Sequence, residues 1–298
     1  MVGGTGGVAG DGLPAEPLIG EPVCSVVSFT NAQPPTGYGP YLIGIAGEGI
    51  EGVSIDFVDI QPVLEFIGVF GADGVLIDPV SGLPINGPEG GSAYAARYPI
   101  GSLDPGQPPL PMEVCSSVAV GAEIGVPLEV DIIPGFEFGN TPTGENGAIL
   151  GTEFSSTVTP VVARVEKDNN APEGERPPGP DWVFNYTYEV NISQLVTVEN
   201  LLLTDILPDN IQWTGSGITI TAPLGTGCTV AAPPNLAPVP GGELEVTCNT
   251  VTGTNAQNDL TVSVPVYITD SLDESIEDSE LIQNTVTVEY GYEELSFD

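Results

Sequence analysis

Histidine is absent from the 298 residues, and lysine and arginine together number four. Without histidine the chain lacks the commonest general base, the histidine-dependent nucleophilic triads and the commonest metal ligand. Without a basic surface it lacks what drives phosphate binding, which excludes nucleic acid and anionic membrane as partners. No run of ~18 apolar residues occurs, so no segment reads as a spanning helix and no membrane insertion is expected. The first twelve residues carry neither a cationic nor an apolar stretch. They do not read as a secretory signal, and the chain reads as a mature form or an excised segment.

What is present is acid, glycine and proline. Aspartate and glutamate number 41, leaving a formal charge of −37. The 39 glycines and 30 prolines break helices and suit short strands joined by turns. At 41% hydrophobic residues the chain still has material for a core, so its charge does not imply disorder. Four cysteines fall as two spaced pairs, Cys24 with Cys115 and Cys228 with Cys248. An even count without C-x-x-C spacing or histidine points to disulfides within each half rather than zinc, and disulfides point to an extracellular or cell-surface location.

The pattern along the chain predicts an all-β protein of two tandem Ig-like antiparallel β-sandwich domains with a flexible N-terminal arm. Residues 1–22 are Gly-rich without apolar periodicity and read as the arm. Residues 23–159 read as domain one, where runs such as VCSVVSF, YLIGIAG, VSIDFVDI and PLEVDII are strand length and lack helical period. Residues 160–298 read as domain two. There Trp182, Phe184, Tyr186, Tyr188, Val190 and Ile192 alternate with polar or smaller residues, which predicts a strand with one buried aromatic face and one wet face.

The series YTYEVNI, LLLTDILPDNI, CTV to VTC and NTVTVEYGY resembles the Ig-like conserved repeat of very large bacterial and archaeal surface proteins, a domain-of-unknown-function family of the eleven type. Asn191, Asp205, Leu207, Pro208, Cys228, Cys248, Asn284 and Thr285 occupy that family's motif positions, over roughly residues 161–292. Domain one resembles the same proteins through FTNAQPPTGYGPYL. The resemblance implies a sandwich fold and a surface context and carries no catalysis; such repeats serve as stalks, adhesin repeats and filament parts.

In sandwiches of this kind a first-strand lysine can condense with a last-strand asparagine while a buried carboxyl moves the protons. The residues here are Lys167, the chain's only lysine, with Asn284 and Asp205. Parity agrees for two of the three: Val161, Ala163, Val165 and Lys167 share one strand face, and Asn284, Val286, Val288 and Tyr290 share another. LLLTDIL has no alternation to place Asp205. The alternative is a surface lysine beside Glu166 and Asp168 and an asparagine that caps its strand. A second candidate is calcium, through the acidic run Asp270, Asp273, Glu274, Glu277, Asp278 and Glu280. No D-x-D-x-D-G loop is present there, and such runs also serve as solvated faces. Asn185-Tyr-Thr and Asn191-Ile-Ser are glycosylation sequons placed on the wet face. A carboxylate pair such as Asp56 and Asp59 offers acid–base chemistry on a sugar, although proximity of two acids is expected by chance in so acidic a chain.

Together these readings predict a non-enzymatic structural module of an exported surface protein or extracellular filament, assembling head to tail with copies of itself or with neighbouring repeats. A calcium-dependent adhesin or ligand-binding repeat is the alternative.

Overall fold

The computed structural model describes residues 2–6, 16–31, 35–57, 64–171, 178–254, 258–269 and 285–292. Among them the regular elements are strands, and every ladder joining two strands is antiparallel. The chain forms two compact units, Met1–Val161 and Val162–Asp298.

The first unit contains β1 (Val2–Gly6), β2 (Pro22–Asn31), β3 (Gly37–Tyr38), β4 (Pro40–Ala46), β5 (Ile50–Phe57), β6 (Leu64–Val69), β7 (Val75–Ile77), β8 (Pro84–Asn86), β9 (Ser92–Arg97), β10 (Ser102–Leu103), β11 (Leu110–Val118), β12 (Leu128–Phe136), β13 (Ile149–Leu150) and β14 (Phe154–Val158). One sheet runs β1-β2-β11-β5, the other β13-β12-β4-β9-β6 with β14 also on β12. Alternation sets the facing sides: on β11, Met112, Val114 and Val118 are buried while Glu113 is exposed. Phe29, Ile55 and Met112 from one sheet meet Leu42, Ile132 and Phe136 from the other in a shared core. Strand β4 is buried on both faces, because the β7–β8 hairpin brings Ile85 over Tyr41, Ile43 and Ile45. That double cover is why PYLIGIA reads as a continuous apolar run instead of an alternating one.

The turn after β7 is anchored by Asp78, whose side chain is fully buried. Its carboxylate accepts from the Tyr41 hydroxyl at 2.9 Å, from the backbone N–H groups of Val80 and Ser81 at 3.0 Å each, and from the Ser81 hydroxyl. Aspartate suits such a turn because its short side chain reaches backbone donors two and three residues on.

The second unit contains β15 (Ala163–Asn169), β16 (Phe184–Ile192), β17 (Thr197–Leu207), β18 (Ile211–Trp213), β19 (Thr219–Thr221), β20 (Thr229–Ala232), β21 (Gly242–Thr252), β22 (Leu260–Ile268) and β23 (Val286–Tyr292). One sheet runs β15-β16-β22-β18 with β19 also on β22, and the other runs β20-β21-β17-β23. The inward residues are Tyr188, Val190 and Ile192 on β16, Val262 and Val264 on β22, Leu201 and Leu203 on β17, and Leu244 and Val246 on β21. Strand β17 carries a bulge between Glu199 and Leu202, with Asn200 at φ 51°. Asparagine tolerates that left-handed conformation better than most side chains.

Both cysteine pairs are bonded, and each lies across neighbouring antiparallel strands of one sheet rather than between sheets. Cys24 on β2 faces Cys115 on β11 with Cα atoms 4.0 Å apart, on the outer side of its sheet beside exposed Glu113. Cys228, immediately before β20, bonds Cys248 on β21, which is buried on the core side.

Three expectations need correction. Val2–Gly6, assigned to a flexible arm, pairs along β2 as an edge strand, and Pro17–Ile19 are buried. A sheet edge offers backbone donors and acceptors to any extended segment, so VGGTG pairs without a side-chain pattern to announce it. Trp182 precedes β16 and is half exposed, so the buried aromatic face starts at Phe184. Asn191, placed on the wet face, is buried, and its side-chain oxygen accepts from the Asn258 N–H.

Replacing Asp78 with Ala should lower the stability of the first unit by about 3 kcal/mol, because several donors lose their acceptor in a dry site. Chemical denaturation of D78A measures it, and an unchanged midpoint would show that the carboxylate does not anchor the hairpin.

Candidate functional site

The second unit places one of the chain's four cations inside the sandwich. Lys167 lies on β15, directly opposite Tyr188 on β16 in the antiparallel register. Residues paired across antiparallel strands project to the same face, so the lysine stem and the tyrosine ring run together toward the opposing sheet. Across the gap, Asp205 stands on β17 between Leu244 on β21 and Val286 on β23. Its side chain is fully buried and that of Lys167 is 12% exposed.

The two charges meet in a bidentate contact. Lys167 Nζ donates to Asp205 Oδ1 at 2.9 Å and to Oδ2 at 3.0 Å. The Tyr188 hydroxyl donates to the same Oδ2. Tyr186, two residues earlier on β16, sets its ring under the amine, with Nζ 4.3 Å from the ring centroid; the Tyr188 ring is 5.1 Å away. Ammonium over an aromatic face is attracted by the ring quadrupole, which holds the head group in place.

Burial dominates the protonation of these groups. It pushes the Lys167 amine below the ordinary lysine range, while the hydrogen bond and charge of Asp205 pull the other way. Burial, then the charge of Asp205, pushes the Tyr186 hydroxyl up to about 12. The same causes, with the hydrogen bond to Asp205, push Tyr188 up further. The site therefore contains an amine biased toward its neutral, nucleophilic form, a carboxylate within proton-transfer distance, and a phenol that remains a donor.

Of the three residues singled out for condensation, Lys167 and Asp205 are together. Asn284 lies outside the described residues; β23 begins two residues after it, with Val286 paired to Asp205. Tyr186 and Tyr188 read in the sequence only as members of the buried aromatic face. The signal for more was the parity of Lys167 with that face on an adjacent strand. The acidic run Asp270, Asp273, Glu274, Glu277 and Asp278 lies outside the described residues, as does Asp59, while Asp56 is half-buried on β5. Cys24, Cys115 and Glu113 cluster within 4.8 Å, but the two sulfurs are bonded to each other and offer no thiolate to a metal.

No protein-family model and no curated protein matches the chain. Among solved structures, the C-terminal domain of the antigen I/II polypeptide BspA of Streptococcus agalactiae is similar at 9% identity and TM-score 0.30, covering 90% of this chain and 91% of that one. The C-terminal domain of AspA of Streptococcus pyogenes shows 12% identity and TM-score 0.32, with 97% and 95% covered. AvmM, described as catalysing macrocyclisation in alchivemycin A biosynthesis, shows 13% identity and TM-score 0.35 over 54% of this chain and 88% of that one. Scores this low carry no functional inference, and the repeat resemblance rests on its sequence motifs.

Above about pH 10 the folded second unit holds tyrosine protons that the unfolded chain releases. Stability from Tyr186 and Tyr188 is therefore complete below that pH and falls as pH rises. A free Lys167 amine acts with opposite sign, adding stability as pH rises toward the ordinary lysine value. In an alkaline titration followed by tyrosinate absorbance, these two residues should ionise only with unfolding. Ionisation near pH 10 in an intact fold would place their hydroxyls in water.

Proposed function

We propose that the chain is a non-enzymatic structural module of an exported cell-surface protein or filament, braced by covalent bonds within its sheets and, in the second unit, between them. The observation that carries this reading is the meeting of Lys167 and Asp205 from opposite sheets inside a disulfide-bonded sandwich. Two disulfides support an oxidising location. An amide across the sandwich replaces a buried ammonium by a neutral group, which lowers the cost of burying charge.

In the proposed reaction Lys167 passes a proton to Asp205 and its neutral amine attacks the side-chain carbonyl carbon of Asn284. The new C–N bond forms, the bond to the asparagine amide nitrogen breaks, and that nitrogen leaves as ammonia with the protons returned through Asp205. Nothing is oxidised or reduced. The outcome is a single bond-forming event that joins β15 to the segment preceding β23.

Assembly with copies of the chain or with neighbouring repeats is supported by β1, which pairs on one side with β2 and ends its sheet. An open edge accepts a strand from another molecule. Repulsion between chains of −37 opposes this contact, so it requires screening.

Intact mass and non-reduced peptide mapping test the covalent reading: the chain should weigh one ammonia less than its disulfide-bonded sequence and yield a Lys167–Asn284 linked peptide. Lys167→Met and Asp205→Asn should restore the full mass. Recovery of Lys167 and Asn284 in separate unmodified peptides would overturn it. For assembly, light scattering should show larger species in high salt for the full chain than for a chain lacking residues 1–22; equal sizes would assign the contact elsewhere.

A further inference from the structure

Asp78, Asp131, Asp205 and Asp259 are the buried acids among the described residues. Asp78 and Asp259 accept from backbone and hydroxyl donors, and Asp205 accepts from Lys167 and Tyr188. Asp131 is 6% exposed, and among the described residues no donor and no cation meets its carboxylate. A carboxylate withdrawn from water needs a proton, a donor or a metal ion. We infer that Asp131, with Glu153 and Glu129, forms a binding site for a hard divalent cation, calcium, on the face of the β13-β12-β4-β9-β6 sheet turned away from the shared core. The site involves none of the residues of the proposed condensation and does not rest on it.

The two-residue period of β12 places these groups. Ile132 and Phe136 enter the shared core, so Glu129, Asp131 and Ile133 face the other way. Ile133 joins Tyr41, Ile43 and Ile45 beside Ile85 of the β7–β8 hairpin. Asp131, paired with Ile45 on β4, is the next position along that face, and on its other side it pairs with Ser155 on β14. Phe154 packs against the shared core, which turns its neighbours Glu153 and Ser155 to the face of Asp131. Asp131 is thus the buried member of the group, with Glu129, Glu153 and the Ser155 hydroxyl exposed around it. The three acids act on one another: partial burial, then the charges of Asp131 and Glu129, push the Glu153 carboxyl above the ordinary glutamate value.

The surroundings are of one sign. Arg97 is the only lysine or arginine before residue 164, and it is engaged by Glu65 and Glu137. Glu129 also lines a cleft of about 360 Å³ with Glu48, Glu89 and Glu123, which adds to the negative field. Every ligand atom on offer is an oxygen, which selects a hard cation over zinc or copper. Carboxylates, a hydroxyl and water suit calcium, which takes roughly six to eight oxygens in flexible geometry, better than magnesium, which demands a near-ideal octahedron.

The test is titration of the chelator-treated full chain with calcium chloride, read by calorimetry and by melting, with magnesium chloride and sodium chloride at matched ionic strength as controls. Calcium should bind and should raise the melting temperature beyond either control. Asp131→Asn should bind one equivalent fewer, and in chelator it should melt higher than the unsubstituted chain, because the uncompensated buried charge is gone. Glu153→Gln, at an exposed position, should lose the same equivalent, and it decides the matter if D131N does not fold. Glu113→Gln removes one charge from the other sheet of the unit and should bind as the unsubstituted chain does. A response to calcium no larger than that to magnesium or sodium would overturn the site, as would a full complement of calcium in folded D131N or in E153Q, which would assign the ion elsewhere. Equal loss in E113Q would overturn it too, since total charge rather than these ligands would then set the binding.

Discussion

A lysine and an aspartate in the dry gap between two sheets must recover the hydration they give up. Burying an ion pair costs several kcal/mol per charge before any return, and only good geometry with every lone pair engaged offsets it. The second unit meets that demand with a bidentate contact, a phenol on the carboxylate and an aromatic face beneath the amine. Each contributor occupies a fixed place in a ladder: Lys167 and Tyr188 are register partners, and Tyr186 follows from the two-residue period. The constraint also limits what the unit tolerates, since removing either charge alone would strand the other in an apolar core.

The same rule governs two further buried acids, Asp78 and Asp259, in a chain with very few cations. Asp78 is held by hydroxyl and backbone donors. Asp259 accepts from the backbone of Ile192 and from both the backbone and hydroxyl of Thr254. Where no positive side chain is to hand, turn backbones supply the donors, and each such carboxylate pins a loop to a strand. Cations are reserved for few places: Arg97 bridges Glu65 and Glu137 at the surface, where solvent reduces its worth.

Much of this was legible in order and composition. Alternation in YTYEVNI marks β16 because polar residues separate its buried ones, and cysteine count and spacing mark the two bonds. Other parts lacked a local signal. On β17, Leu202 and Ile206 face outward as apolar residues, Ile206 at 66% exposure, so the sequence has no contrast to reveal that Asp205 points in. Strand β1, VGGTG, has no apolar alternation to mark it. Asp78 and Asn191 are polar residues whose burial follows from tertiary neighbours, Tyr41 in one case and Asn258 in the other. A turn residue and a strand residue look the same whether solvent or protein supplies the hydrogen bonds.

The bulge at Asn200 sets the phase of β17. Val198 faces inward, and so do Leu201, Leu203, Asp205 and Leu207: even numbering before the bulge, odd after it. A regular strand would continue the parity of Val198 and turn Asp205 toward solvent, taking its three leucines with it. The site is consequently tied to chain length as much as to residue identity. Substitutions on β17 alter one contact at a time, whereas gaining or losing one residue between Val198 and Leu201 exchanges the two faces of everything downstream. In a lineage built from such sandwiches, the spacing between those two residues is the quantity that insertion and deletion cannot change while the lysine keeps its partner.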